Sequence, residues 1–255
     1  MNNFTFNSPA KINLGLQIGE KFANGKHRLQ TVMVKVPLFD EIELIWQTDK
    51  NSTIFCANKL VPNNSNNLIL RAFSLLQADF SLPGVHINLK KKIPVGSGLG
   101  GGSFNAGTLL RVLNKELKLN LTQNQLLGYA QKLGSDVPFA VIEASQVLEK
   151  NHGGENLQQI VLPPLPPCHL VIVTPQIEIY TASAFALWDQ KNKNNNLSDL
   201  EPLIRACQKQ DLKNITQNLN NDFEEVIFAF CPQLAQIKED LLQAGALGAS
   251  MSGSG

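Results

Sequence analysis

Apolar and polar positions alternate, or run together in short blocks, through the first half of the chain. "KINLGLQI" (11–18) and "DEIELIW" (40–46) carry the short-period pattern of strands. Between them "GEKFANGKHRLQT" (19–31) holds the Gly and Asn signals of a hairpin or loop. The period then changes. In "SNNLILRAFSLLQADF" (65–80) Ile69, Phe73, Leu76 and Phe80 share one helical face, with Asn66 or Asn67 placed to cap it. "VHINLKKKIP" (85–94) returns to alternation, with Val85, Ile87 and Leu89 on one side. It leads directly into "PVGSGLGGGSFNAG", after which a helix is predicted from about Ser103 to Lys118.

A second helix follows in "LTQNQLLGYAQKLGSD" (121–136). Thr122 and Gln125 form a capping-box pattern, Leu126, Tyr129 or Ala130, and Leu133 form a buried stripe, and Gly134 is placed to stop it. "VLPPLPPC" (161–168) is the one proline-rich joint and reads as a domain boundary or the start of a new sheet. "HLVIVTP" (169–175) predicts a short buried strand, and "NKNNNLSD" (192–199) a flexible polar loop. Two helical stretches follow, at 197–211 and 231–245. The closing "GALGASMSGSG" reads as a strand running into a glycine turn that should continue, which predicts a C-terminal part cut short at Gly255.

Composition narrows the class. At 255 residues, 43% hydrophobic and 17% charged, the chain can bury one large core or two modest ones. Twenty-two basic against 21 acidic residues, a net charge of +1, argue against nucleic-acid or membrane-surface binding, which needs a basic excess. Cys56, Cys168, Cys207 and Cys231 are scattered, with no metal-ligand spacing, and predict free thiols in a reducing compartment. His86, His152 and His169 make no zinc spacing either. No apolar run approaches the roughly 18 residues of a bilayer span, and the N-terminus has neither a signal-peptide nor a transit-peptide pattern. A bacterial cytoplasmic protein is expected.

The glycine loop is the strongest chemical signal. Glycines leave backbone N–H groups unobstructed by Cβ atoms, and the first turn of the following helix adds unpaired donors and the positive end of its dipole. Together they make an anion site suited to phosphate. Ser97 and Ser103 add hydroxyls, and Ser103 is within the chemistry of a magnesium ligand. No Gly-Lys-[Ser/Thr] occurs, so this is not a Walker A loop. "GSGLGG" matches GxGxxG literally, yet no acidic residue ends a second strand about 20 residues on, where Glu116 lies in the helical stretch. A slack hinge would not abut a helix so abruptly.

Four motifs in order make the pattern specific: "PAKINLGL" (9–16), "IPVGSGLGGGSFNAG" (93–107), "LGSDVPF" (133–139) and "GASMSGSG" (248–255). Together they resemble the GHMP superfamily of small-molecule kinases, over nearly the whole chain. Within it, "NGKHRLQT" (24–31) and "LFDEIEL" (38–44) resemble the 4-diphosphocytidyl-2-C-methyl-D-erythritol kinase family. The resemblance implies an α+β fold of two lobes, ribosomal-protein-S5-like at 1–155 and ferredoxin-like at 156–255, with ATP and acceptor bound between them. It implies ATP and Mg2+ as co-substrate and cofactor, and phosphorylation of the 2-hydroxyl of a cytidyl-diphosphate small molecule in the non-mevalonate isoprenoid route. Other GHMP kinases, of mevalonate or homoserine type, and a non-catalytic nucleotide binder are the rivals.

Carried over residue by residue, Pro94, Gly96, Ser97, Gly98, Leu99, Gly100, Gly101, Gly102 and Ser103 would wrap the ATP phosphates. Asp136 would be the general base and Lys11 the lysine beside it; Asn13 would contact the acceptor. His27 would bind cytosine, with Phe185 as an aromatic wall and Tyr180 a competing stacker. The chemistry agrees with the roles the resemblance implies: phosphoryl transfer needs positioning and charge stabilisation, a carboxylate orients the attacking hydroxyl, and an ammonium steadies the charge that develops on it. Without the resemblance Asp136 reads as a helix-cap aspartate, Lys11 as a strand-edge lysine, His27 as an exposed loop histidine and Phe185 as core. The chain departs from the family at Lys26, where tyrosine is usual, and at Phe104-Asn105, where Ser-Asp is frequent. Asn105 removes a charge that would favour magnesium. Gly107 stands where alanine is common, at a cost of about 1 kcal/mol in helix propensity.

Overall fold

The computed structural model describes residues 3–22, 25–152, 157–191 and 199–254. Residues 1–2, 23–24, 153–156, 192–198 and 255 lie outside the described residues, and with them most of the "NKNNNLSD" stretch for which a polar loop is expected. The architecture is α+β. Contacts divide the chain into two units, each drawn from separate stretches: 1–11, 36–95 and 100–143 in the first, and 12–35, 96–99 and 144–255 in the second.

Two long strands, β1 (Phe4–Lys21) and β2 (His27–Trp46), contribute to both units. In the first unit β2 pairs antiparallel with β4 (Val85–Lys90), in the register Ile42↔Leu89 and Leu44↔Ile87. The short β3 (Thr53–Cys56) pairs parallel with β4. This alternation buries Ile42, Leu44, Ile54, Ile87 and Leu89 on one sheet face. Against it pack α1 (Leu68–Phe80), through Ile69, Phe73 and Leu76, and α2 (Gly101–Glu116), through Leu109, Leu110 and Leu113. Asn67 is the N-cap of α1, its side chain accepting from Ile69 N at 3.0 Å. Helix α3 (Gln123–Gln131) opens on the expected box, with Gln125 N donating to Thr122 Oγ1 and Thr122 N to Gln125 Oε1. Ala130 is fully buried in its core, and Tyr129, half-buried, packs against the same core while its hydroxyl donates to Asp79. Gly134 lies beyond the Lys132 C-cap and is not the stop. The four-residue α4 (Val137–Ala140) completes the unit.

Gly107 has a packing reason. A Cβ there would stand 2.5 Å from Ala140 Cβ and 2.9 Å from Val137 O, so its absence lets α2 and α4 touch backbone to backbone.

In the second unit the N-terminal half of β2 pairs antiparallel with β5 (Gln146–His152), which pairs with β6 (Gln158–Val161). β1 pairs parallel at Gly15 and Leu16 with the two-residue β7 (Asn220–Asn221). One cluster joins Leu14, Val32, Val34 and Leu148 to α6 (Glu201–Gln208) and Ile215 of α7 (Leu212–Gln217). A second joins Leu16 and Ile18 to Ala184 and Trp188 of α5 (Thr181–Lys191) and to Phe223, Val226 and Ile227 of α8 (Phe223–Phe230). Helix α9 (Pro232–Gln243) follows, with no fully buried residue.

Two expected strands do not form. "HLVIVTP" is neither strand nor buried: Val171 is 75% exposed, and Leu170, Ile172 and Val173 also face solvent. No described strand pairs with it, and an apolar run becomes a strand only where a ladder accepts its backbone. The segment before Gly253 is likewise irregular. All four cysteines are free thiols, Cys56 and Cys207 buried. Among the described residues no helix is long and apolar enough to cross a membrane.

Candidate active site

In the first unit, Lys11 of β1 and Asp136, just before α4, come together across 125 residues of chain, Nζ to Oδ2 at 3.8 Å. The lysine side chain is 4% exposed and the aspartate 27%, so one partner is held inside and the other reaches solvent. Asp136 does occupy the N-cap position of α4, as its place before Pro138 suggests, but its side chain makes no capping hydrogen bond. The glycine turn closes over the same lysine. Gly100 is the N-cap of α2 at φ 68°, and a Cβ on it would stand 2.9 Å from Lys11 Cγ. No side chain caps α2, so the N–H groups of its first turn keep the donor capacity an anion needs. Ser103 lies half-buried in that turn.

A buried carboxylate, Asp40 of "LFDEIEL", anchors the helix start. Asp40 of β2 is fully buried and accepts four hydrogen bonds: Lys91 Nζ at 2.6 Å, Asn105 Nδ2 at 2.9 Å, and the N–H groups of Lys92 and Ile93 at 2.8 Å each. It ties the strand end before the glycine loop to the first turns of α2. The signal was present in the alternation, because Asp40 shares the inward register of Ile42 and Leu44. The same network explains Asn105, whose amide donates to a carboxylate. Phe104, unexplained by sequence, is fully buried with its ring edge-on to Phe139 at 5.4 Å.

In the second unit, Gly96 and Gly98 have φ of 72° and 69°, and a Cβ on Gly98 would meet Ser252 O at 2.2 Å. The glycine loop and the terminal "MSGSG" segment therefore pack backbone to backbone. Asn13 N donates to Ser252 Oγ at 3.1 Å, and Asn13 Nδ2 donates to Thr31 Oγ1 at 2.7 Å. His27 is buried, its ring stacked on Phe185 at 5.1 Å and 6°. Its Nδ1 lies 3.1 Å from Gly19 O and its Nε2 2.7 Å from Asp189 Oδ1. Lys21 donates to the other oxygen of Asp189 at 2.5 Å; that bond first, and then the neighbouring charges, hold the Asp189 carboxyl below its ordinary range against some desolvation. Asp189 was not foreseen; it stands one turn beyond Phe185 on α5. Tyr180 is 70% exposed and takes no part in the stack, and Lys26 is exposed beside His27.

Comparison with known proteins gives this geometry its context. Residues 67–144 match the GHMP kinases N terminal domain and residues 203–255 the GHMP kinases C terminal domain. The 4-diphosphocytidyl-2-C-methyl-D-erythritol kinase of Exiguobacterium sibiricum is 37% identical over 249 residues, 97% of this chain and 85% of that protein. The enzyme of the same name from Geobacillus kaustophilus is 37% identical over 97% of this chain and 84% of its own length. The chain belongs to the 4-diphosphocytidyl-2-C-methyl-D-erythritol kinase family. A crystal structure of a kinase of this family superposes with TM-score 0.77 at 26% identity, covering 99% of this chain and 87% of that one. A homoserine kinase from Cytophaga hutchinsonii shares the fold, with TM-score 0.69 at 21% identity over 100% and 83% of the two chains. Like other members of the 4-diphosphocytidyl-2-C-methyl-D-erythritol kinase family, the chain has the GHMP kinase fold.

Proposed function

We propose that the protein transfers the γ-phosphoryl group of ATP to the 2-hydroxyl of 4-diphosphocytidyl-2-C-methyl-D-erythritol. The observation that carries this reading is the Lys11–Asp136 pair with the Gly100 turn packed on the lysine stem, in a chain of this family. Asp136 accepts the proton of the acceptor hydroxyl as its oxygen attacks phosphorus. The Lys11 ammonium steadies the negative charge gathering on that oxygen. Backbone N–H groups from Val95 to Gly102, with the hydroxyls of Ser97 and Ser103, bind phosphate oxygens and keep them in line for transfer, and Pro94, which has no N–H, shapes the entry to the loop.

The donor set bears on magnesium. Among the described residues no group of three or more His, Cys, Asp or Glu side chains is arranged to hold a metal, and Asn105 donates through Nδ2 to Asp40 while its Oδ1 has no hydrogen-bond partner. Ser103, half-buried in the first turn of α2, would hold Mg2+ brought in with ATP. Bound so, it supplies neutralisation of phosphate charge.

His27, Phe185 and Asn13 are assigned to the acceptor. A parallel His–Phe stack offers an aromatic face of the kind a pyrimidine ring takes up, which a mevalonate or homoserine acceptor has no ring to use. Asp136→Asn removes the proton acceptor with little change in volume. Turnover should fall by about 10²–10⁴-fold while ATP affinity holds within about twofold. Turnover near the unsubstituted level would remove Asp136 from the role of base.

A further inference from the structure

The turn into α8 carries four consecutive side chains, Asn221-Asp222-Phe223-Glu224, which between them engage three parts of the second unit. Asn221, buried, donates through Nδ2 to Met251 O and to Gly253 O, both at 2.8 Å, while its Oδ1 accepts from Phe223 N at 3.0 Å. Its carboxamide is fully used. Glu224 Oε1 accepts from Met251 N at 2.7 Å and Ser250 Oγ at 3.0 Å, and Oε2 accepts from Lys238 Nζ at 2.6 Å. Asp222 accepts from Ile18 N at 2.8 Å, fixing the turn to β1. Phe223 stands edge-on to Phe185 at 5.0 Å and 76°, behind the ring on which His27 stacks.

The segment from Ser250 to Gly253 has no ladder or helix of its own. Its main chain is oriented by Asn221 gripping two carbonyls and Glu224 gripping one N–H. That segment touches Gly98 of the glycine loop and, through Ser252, holds Asn13.

We propose that Asn221 and Glu224 are positioning residues for the terminal glycine segment on the ATP side of the reaction, and that Phe223 positions the His27–Phe185 stack on the acceptor side. Two residues apart in sequence, they serve different substrates. The proposal rests on the kinase reading above.

The test compares Asn221→Asp with Phe223→Leu. In Asn221→Asp a carboxylate oxygen faces both carbonyls and neither bond can form. KM for Mg-ATP should rise by about tenfold or more, and KM for 4-diphosphocytidyl-2-C-methyl-D-erythritol by clearly less, because Asn13 keeps its bond to Thr31 when the Ser252 contact loosens. Phe223→Leu should reverse the split, raising the acceptor KM several-fold and leaving that for ATP. Deuterium uptake provides a readout independent of turnover: exchange across 250–254 should quicken in Asn221→Asp and not in Phe223→Leu. Should Asn221→Asp fail to fold, Glu224→Ala, which removes the acceptor of Met251 N and Ser250 Oγ, should quicken exchange over the same residues. The idea is overturned if both KM values rise together in each variant, or if uptake at 250–254 is unchanged. Unsubstituted protein that leaves the acceptor unphosphorylated sinks the kinase reading instead, and the exchange data still judge the clamp.

Discussion

Replacing Asp40 by alanine strands a buried ammonium. The carboxylate is fully buried, the Lys91 side chain is 6% exposed, and their atoms are 2.6 Å apart. Removing one partner of a buried pair costs about 3–5 kcal/mol, because the remaining charge keeps its desolvation penalty without its attraction. The N–H groups of Lys92 and Ile93 lose their acceptor as well. At about 2–4 °C per kcal/mol for a chain of this size, Asp40→Ala should lower Tm by roughly 6–20 °C. The assay is thermal unfolding followed by circular dichroism, run on Asp40→Ala, Lys91→Met and the double variant. If the cost lies in the stranded charge, the double variant loses less than the sum of the singles, by at least about 1 kcal/mol. A fall of under about 2 °C for Asp40→Ala, or strictly additive singles, would refute the account of Asp40 as the anchor of the α2 start.

Gly107→Ala tests packing against propensity. Alanine gains about 1 kcal/mol as a helix former, but its Cβ would stand 2.5 Å from Ala140 Cβ, and overpacking of this kind costs about 1–3 kcal/mol. A lower midpoint in urea is expected, and a higher one would show that α2 and α4 separate freely. Gly100→Ala forces a side chain at φ 68° into the Lys11 stem and should lower kcat/KM by about tenfold or more, read in a coupled ADP assay. Asp189→Asn addresses pH: the folded carboxyl sits below its ordinary range, so its contribution is present above the unfolded pKa and lost as pH falls through the folded one. The Tm difference between Asp189→Asn and the unsubstituted protein should therefore close on acidification below about pH 4, and a gap that persists there contradicts the assignment. In a Tyr180→Phe background, absorbance at alkaline pH should show Tyr129 ionising at about 12, pushed up by burial and then by its bond to Asp79; ionisation near 10 would mean that the contact is not held in solution.

What could be read from the sequence was local. The Asn67 cap and the Thr122–Gln125 box involve residues two or three apart, and both formed where the pattern put them. So did the buried face of α1, since a helix fixes its own periodicity. What failed depended on distant partners. "HLVIVTP" has the composition of a buried strand, but a strand needs a neighbour to pair with. The Asp40 network joins residues 51 to 65 positions apart, and the grip of Asn221 on Met251 and Gly253 spans about 30, so neither has a sequence signature of its own. Resemblance supplied Lys11, Asp136 and His27 because motifs preserve spacing. It could not supply Asp189, Asn221 or Glu224, whose roles emerge only once the chain is folded. Nor could it explain Phe104, which needs Phe139 edge-on beside it.

The most direct test is phosphorus NMR of the protein with Mg-ATP and 4-diphosphocytidyl-2-C-methyl-D-erythritol. A new phosphomonoester resonance, growing in step with ADP and lost in Asp136→Asn, is the predicted result. Folded protein that leaves both substrates unchanged would contradict it.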